Sequence, residues 1–322
     1  MQALAGDDWL LEGFCAFAAD GSQFDCPRTQ ANLAGLGSRG KDPLRPSLYM
    51  TGLYHLGLGL PWDWRVGPAC ESEPSQLREM LGDLPAGALL VMDAGLVQYD
   101  LLRDISRSGR HLLVRVGRNV HLLKNLGRPV QKKPGQVWLW PQNQRGESPL
   151  ALYLYRIGPK GKRVWLLSDL VLSQEQVERL YRARWGVEVH HRAIKQTLER
   201  RKMLSRSPDL AQWELYWTLC GLWLLGLLGI EGLQRAGQKP RQLSLAAALR
   251  TVRAASQGRL RGTLWHHLGR ATQDPYRRRH AKKSRRWPHK KKDKPAGKPH
   301  LRKATATERQ KAQDVYEREA AG

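Results

Sequence analysis

Short apolar runs separated by polar turns mark the first half of the chain as strand-rich. Residues 14–19 (FCAFAA) lead into Asp20-Gly21-Ser22, the pattern of a buried strand that delivers an aspartate at its end. Taken alone, an aspartate before glycine is also a turn signal. Residues 47–56 (SLYMTGLYHL) and 61–67 (PWDWRVG) predict two further strands around a glycine turn, and SEPSQLREMLGDLP, from Ser72, predicts a helix ended near Pro85. Ala88, Leu89, Leu90, Val91 and Met92 are apolar without interruption, as in a strand covered on both faces, and this run also ends in an aspartate, Asp93. A helix over 98–108, with Gly109 as its cap, and a strand over 111–116 (HLLVRV) follow.

From about 118 to 165 the texture changes. GRPVQKKPGQ is turn-rich, and VWLW (137–140), LALYLYRI and RVWLLSDLV predict three strands with no helix between them, the last two a hairpin around Gly158-Pro159-Lys160-Gly161. This reads as a β insertion. Residues 173–203 then predict one long helix. Ser173 and Gln176 form a capping box, flanked by Leu172 and Val177 as a hydrophobic staple. Val177, Leu180, Val187, Ile194 and Leu198 recur at helical spacing and face the core, while Gly186 costs the helix about 1 kcal/mol. Ser207-Pro208-Asp209 opens a second helix. Its stretch 215–230 holds sixteen residues without a charge, bracketed by Glu214 and Glu231. A bilayer span wants about 20, so a buried core helix and no membrane is the reading.

Charge narrows the partner. The chain has 322 residues and a net charge of +25, which points to a polyanion and most simply to nucleic acid; a solvated basic surface or an anionic membrane are the rival readings. Residues 277–303 hold fourteen Lys/Arg and one acidic residue, Asp293, and predict a disordered basic tail that meets phosphates. The four cysteines make no C-x-x-C pair, which favours a reducing compartment over a disulfide framework or a cysteine zinc site. The N-terminus has neither the basic start nor the long apolar stretch of a signal peptide, so a cytoplasmic, nucleoid-associated, bacterial-type protein is expected. Gly35-x-Gly37-x-x-Gly40 and Gly35-x4-Gly40-Lys41 are accidental matches to nucleotide-binding loops: Asp42 stands where a Ser/Thr is required and Pro43 disfavours a helix.

The candidate chemistry lies on the long helix. Tyr181, Arg184, Glu188 and Lys195, spaced Y-x2-R-x3-E-x6-K, fall within roughly 60° of one another on a helical wheel. With Asp20 and Asp93 at strand ends, three carboxylates can meet at one point. Such a set suits two divalent ions about 4 Å apart, which activate a water or a 3′-hydroxyl and stabilise the leaving oxygen. Arg184 and Lys195 stand where cations for the non-reacting phosphates are wanted. Two other readings of the helix are a metal cluster of Glu188, His190 and His191, disfavoured because adjacent histidines point about 100° apart, and a surface helix with an Arg184–Glu188 ion pair.

These residues carry a family resemblance. D-G-S followed by PRTQANLAG, then DAGLVQYDLL and GRHLLVRV, then the Tyr-Arg-Glu-Lys helix with its Arg184-Trp185 pair, resemble the DDE transposases of the insertion-sequence-4 type over roughly residues 10–235. The resemblance implies an α/β fold: an RNase H-like mixed sheet with flanking helices and a β-strand insertion between the second Asp and the Glu. It divides the chain into 1–117 (first part of the core), 118–165 (β insertion), 166–240 (C-terminal core helices) and 241–322 (basic, largely disordered tail). It implies that Asp20, Asp93 and Glu188 bind Mg2+ or Mn2+, as two ions, and that Tyr181, Arg184 and Lys195 touch the DNA backbone near a transposon end. Trp138 or Trp140 lies where relatives stack a tryptophan on a flipped base; an ordinary strand aromatic is the alternative for both. The implied partner is double-stranded DNA, as transposon end and target, with a dimer in the DNA complex as an option. The implied function is metal-dependent DNA cleavage at transposon ends and strand transfer into target DNA. A catalytically inactive remnant that only binds DNA, and an RNase H-like nuclease without strand transfer, are the alternatives. Departures from the family pattern are Ala94-Gly95-Leu96, where Arg-Gly-aromatic is usual, and Ser22, where threonine is common. Many relatives also carry an N-terminal DNA-binding region, whereas this chain begins shortly before Asp20.

Overall fold

The apolar runs become neighbours in one ten-stranded sheet. The computed structural model describes residues 6–38, 42–126, 135–159, 163–273 and 297–321. Its strands are β1 (Ala16–Asp25), β2 (Ser47–His55), β3 (Leu60–Pro68), β4 (Leu89–Met92), β5 (His111–Val116), β6 (His121–Lys124), β7 (Gln136–Leu139), β8 (Leu150–Ile157), β9 (Val164–Ser168) and β10 (His300–Lys303). Their order is β10-β6-β7-β8-β9-β5-β4-β1-β2-β3. The β1–β4, β4–β5 and β10–β6 pairs are parallel, and the others are antiparallel.

Helices cover both faces. They are α1 (Gln30–Leu36), α2 (Glu73–Met80), α3 (Tyr99–Arg107), α4 (Gln174–Ala183), α5 (Trp185–Arg192), α6 (Pro208–Arg235), α7 (Leu245–Ser256), α8 (Leu264–Leu268) and α9 (Ala306–Ala321). Residue parity assigns the faces, because successive strand side chains point to opposite sides. Phe17, Leu90, Met92, Leu112 and Val114 pack against α2 and α3. Ala16, Ala18, Leu89, Val91 and Leu113 pack against Val177, Leu180 and Val187 of α4 and α5. The unbroken apolar run of β4 is therefore buried on both sides, as its composition predicts. α6 closes a third cluster against β2 and β3 through Leu215, Leu219 and Leu222.

Three features differ from the sequence reading. The helix expected over 173–203 is irregular: α4 ends at Ala183 and α5 begins at Trp185, with Arg184 between them still in helical conformation, and a π-helical turn, Ala193–Thr197, follows. The capping box at Ser173 and Gln176 is present as expected. Second, Asp20 lies inside β1, which runs on to Asp25 against β2; what ends near Asp20 is its pairing with β4, at Ala19 and Met92. Third, 241–273 and 297–321 are built into the fold as α7, α8, β10 and α9, where a largely disordered tail was expected that ends in a loose exposed helix over 306–320. Chain-distant pairing decides this: β10 runs alongside β6, and Ala304, Ala312 and Val315 join the core of Trp138 and Leu139. The basic run 277–296, Gly40, Lys41, Lys160 and Gly161 lie outside the described residues.

Candidate carboxylate site

The β1–β4 register fixes the first two acids. Ala18 pairs with Val91 and Ala19 with Met92, so the next step sets Asp20 beside Asp93. Asp20 shares parity with Ala16 and Ala18, and Asp93 with Leu89 and Val91. Both therefore point to the face covered by α4 and α5. That is the face bearing Tyr181 and Glu188. Arg115, two residues after Leu113 on the neighbouring β5, turns the same way.

Side-chain contacts bind the corner together. Asp93 Oδ1 lies 3.4 Å from Arg115 Nη1 and accepts from the Tyr181 hydroxyl at 3.4 Å. Glu188 Oε1 accepts from Arg184 Nη2 at 3.0 Å. Asp20 Oδ1 accepts from the Gly21 amide at 3.1 Å, and its Oδ2 lies 3.5 Å from His191 Nδ1. The Arg184 side chain is only 7% exposed, and its guanidinium lies 5.4 Å from the Tyr181 ring centre. Burial opposes its charge, yet Tyr181, Asp93 and Glu188 outweigh that and hold Arg184 above the ordinary arginine range. Burial, with Asp93 adding, pushes the Tyr181 phenol up. Lys195, on the π-helical turn, lies 5.0 Å from the Phe24 ring centre; burial lowers its pKa against the pull of Asp25.

Arg115, which the motif reading did not single out, and His191, weighed there only as part of a metal cluster, neighbour the carboxylates. Strand parity would have found Arg115. His191 sits three residues after Glu188, within reach of Asp20, while His190 turns inward against Tyr54. The two histidines diverge as the helical geometry requires. Trp138 and Trp140 are both buried. Trp140 donates to the Glu147 carbonyl at 2.7 Å and lies under the Arg145 guanidinium, so neither ring offers a free face.

The donor chemistry suits a hard divalent cation, since all three acids offer carboxylate oxygen. Arg115 Nε, Arg184 Nε and His191 Nε2 are buried there without hydrogen-bond partners, which leaves the corner polar and incompletely paired. The spacing is less accommodating. Among the described residues no three His, Cys, Asp or Glu side chains converge into a ready metal group. Each carboxylate is turned to a neighbouring side chain: Asp93 to Arg115 and Tyr181, Glu188 to Arg184, and Asp20 to His191.

Comparison with known proteins gives the family. Residues 12–224 match the family described as Transposase DDE domain, and the chain belongs to that family. It is 26% identical over 274 residues to Transposase InsG for insertion sequence element IS4 of Escherichia coli (strain K12). That similarity covers 77% of this chain and 61% of the relative, so the chain spans about three fifths of the relative's length. Among solved structures it is similar to a cryo-EM structure of piggyBac transposase synaptic complex with hairpin DNA, at 11% identity and a TM-score of 0.41, covering 80% of this chain and 51% of that one.

Proposed function

We propose that this chain is the catalytic core of a DNA transposase, cleaving DNA at transposon ends and transferring the exposed strand into target DNA. The observation that carries the reading is that Asp20 and Asp93, side by side on adjacent parallel strands, face the helix bearing Glu188. The order β3-β2-β1-β4-β5, an antiparallel meander followed by two parallel strands, supports an RNase H-like core. Asp20, Asp93 and Glu188 would hold Mg2+ or Mn2+, as two ions. When bound, such ions supply an activated water or 3′-hydroxyl and stabilise the leaving oxygen.

The remaining work belongs to the chain's own side chains. Arg115, Tyr181 and Arg184 orient the carboxylates and keep positive charge next to the scissile phosphate. Lys195 extends that field along the DNA backbone, and the net charge of +25 draws duplex DNA to the surface. A dimer in the DNA complex would supply one site for each transposon end.

Glu188→Gln tests the assignment. Metal-dependent cleavage of an end-bearing duplex should fall at least roughly 100-fold, while binding to the same duplex stays near wild type. Cleavage at the wild-type rate would sink the reading. A second reading, a DNA-binding protein without catalysis, draws on the arginine, tyrosine or histidine side chain already beside each carboxylate. It expects salt-sensitive binding and no metal-dependent cleavage by the wild-type chain. Joined products, as opposed to nicks alone, separate a transposase from a simple nuclease.

A further inference from the structure

The C-terminal strand β10 is short, parallel and at the open edge of the sheet, yet it begins with a residue matched to its partner. His300 stands opposite His121 in the β10–β6 register. The two imidazoles stack, with ring centres 4.8 Å apart and planes inclined by 15°. Both are exposed, and both line a cavity of about 690 Å³ where the β insertion meets the C-terminal return. The β6–β7 register, extended one residue beyond Leu122 and Leu139, puts the buried Trp140 on the other side of His121. Arg302, on the same side of β10 as His300, and Arg145, over Trp140, are both engaged by Glu308. Asn119 and Gln142 add side-chain carbonyls to the cavity lining.

We propose that His121 and His300 hold a transition-metal dication of the zinc class, which clasps β10 to β6. Imidazole nitrogen suits that class, whereas Mg2+ takes oxygen. Two nitrogens on one tetrahedral Zn2+ lie about 3.4 Å apart, for bonds of about 2.0–2.1 Å. The rings stand somewhat wider than that, and exposed side chains close the difference by turning their edges together. Among the described residues no third His, Cys, Asp or Glu joins the pair. The remaining positions therefore go to water or to the carbonyl oxygens of Asn119 and Gln142, as in zinc sites that keep open coordination. Glu308 offsets one of the two guanidinium charges, which leaves the cation a modest repulsion to overcome. A four-residue parallel pairing is weak by itself, and an ion bound only by the paired strands stabilises the pairing through its occupancy. The site uses no residue of the carboxylate corner: four strands separate β6 from β4, roughly 24 Å across the sheet.

Calorimetric titration of the untagged full chain with Zn2+, in excess Mg2+ to fill hard-cation sites, should show one bound ion that depends on both histidines. His121→Phe and His300→Phe keep the stacked ring and remove the nitrogens, so each should weaken that binding at least about tenfold and leave the metal-free fold as it is. Hydrogen exchange supplies a second readout. Saturating Zn2+ should slow the amides of 121–124 and 300–303 at least about tenfold in the wild-type chain and leave them unchanged in the variants. A wild-type chain that binds no Zn2+ overturns the proposal. So does binding equally tight in the double Phe variant, or binding that leaves the exchange of 300–303 unchanged.

Discussion

Gly21 follows Asp20 because Tyr49 leaves no room for anything larger: a Cβ there would lie 1.9 Å from the tyrosine hydroxyl. The D-G-S sequence, readable as a turn, is thus a strand segment pressed under an aromatic ring of β2. His55, farther along β2, is a second residue fixed by its surroundings. It is fully buried, and its Nδ1 accepts the Leu58 amide at 3.0 Å, a role open only to neutral imidazole. Burial lowers its pKa from 6.5 to about 4. The unfolded chain therefore binds a proton more readily than the folded one. Stability from this group is complete above pH 6.5 and is lost as pH falls from there towards 4. At pH 5 the loss should be about 1–2 kcal/mol, seen as a lower urea midpoint than at pH 7. In His55→Gln that pH-dependent part of the drop should shrink; an unchanged slope would place the titration elsewhere.

Elements show where sequence was informative and where it was not. The runs of β1, β4 and β5 were legible because burial on both faces demands unbroken apolar sequence, and the start of α4 was legible because its cap is local chemistry. The break between α4 and α5 was not, since Tyr181, Arg184 and Glu188 keep an ideal helical spacing across it. Just after it the helix passes close to another strand. Gly186 packs on Tyr54 of β2, and a Cβ would come within 2.9 Å of that half-buried ring. In an exposed helix Gly→Ala gains about 1 kcal/mol. Here the rigid ring cannot yield, so Gly186→Ala should instead lower stability by about 1–2 kcal/mol. It should also shift Glu188, two residues on, and slow the metal-dependent cleavage proposed above. Tyr54→Leu combined with Gly186→Ala should recover stability relative to the sum of the single changes, as a double-mutant cycle in urea would show.

At the scale of the whole molecule, the C-terminus returns to close the far edge of the sheet. The four residues of β10 carry too little pattern to announce a strand whose partner, β6, lies in the middle of the sequence. What holds the return is packing plus two carboxylates, Glu319, which meets Ser148 and Arg107, and Glu308. Glu308 accepts from Arg302 on both oxygens, at 2.7 and 2.5 Å, forms a 2.8 Å ion pair with Arg145 of the insertion, and accepts the Thr305 amide at 2.9 Å. The Arg302 hydrogen bonds, foremost, hold its pKa well below the usual carboxylate range, so this anchorage persists above the normal glutamate pKa and is lost on acidification. Arg145 is largely buried and lies over Trp140, so removing its counter-charge leaves a cation in a poor solvent. Glu308→Gln should therefore weaken docking of β10 and α9 by about 1–3 kcal/mol, and should do so locally. Amides of 300–321 should exchange faster, with β6 and β7 following, while β1, β4 and β5 keep their protection. Uniform loss of protection across the sheet would mean that the C-terminal return is part of the global folding unit and not a separately latched edge.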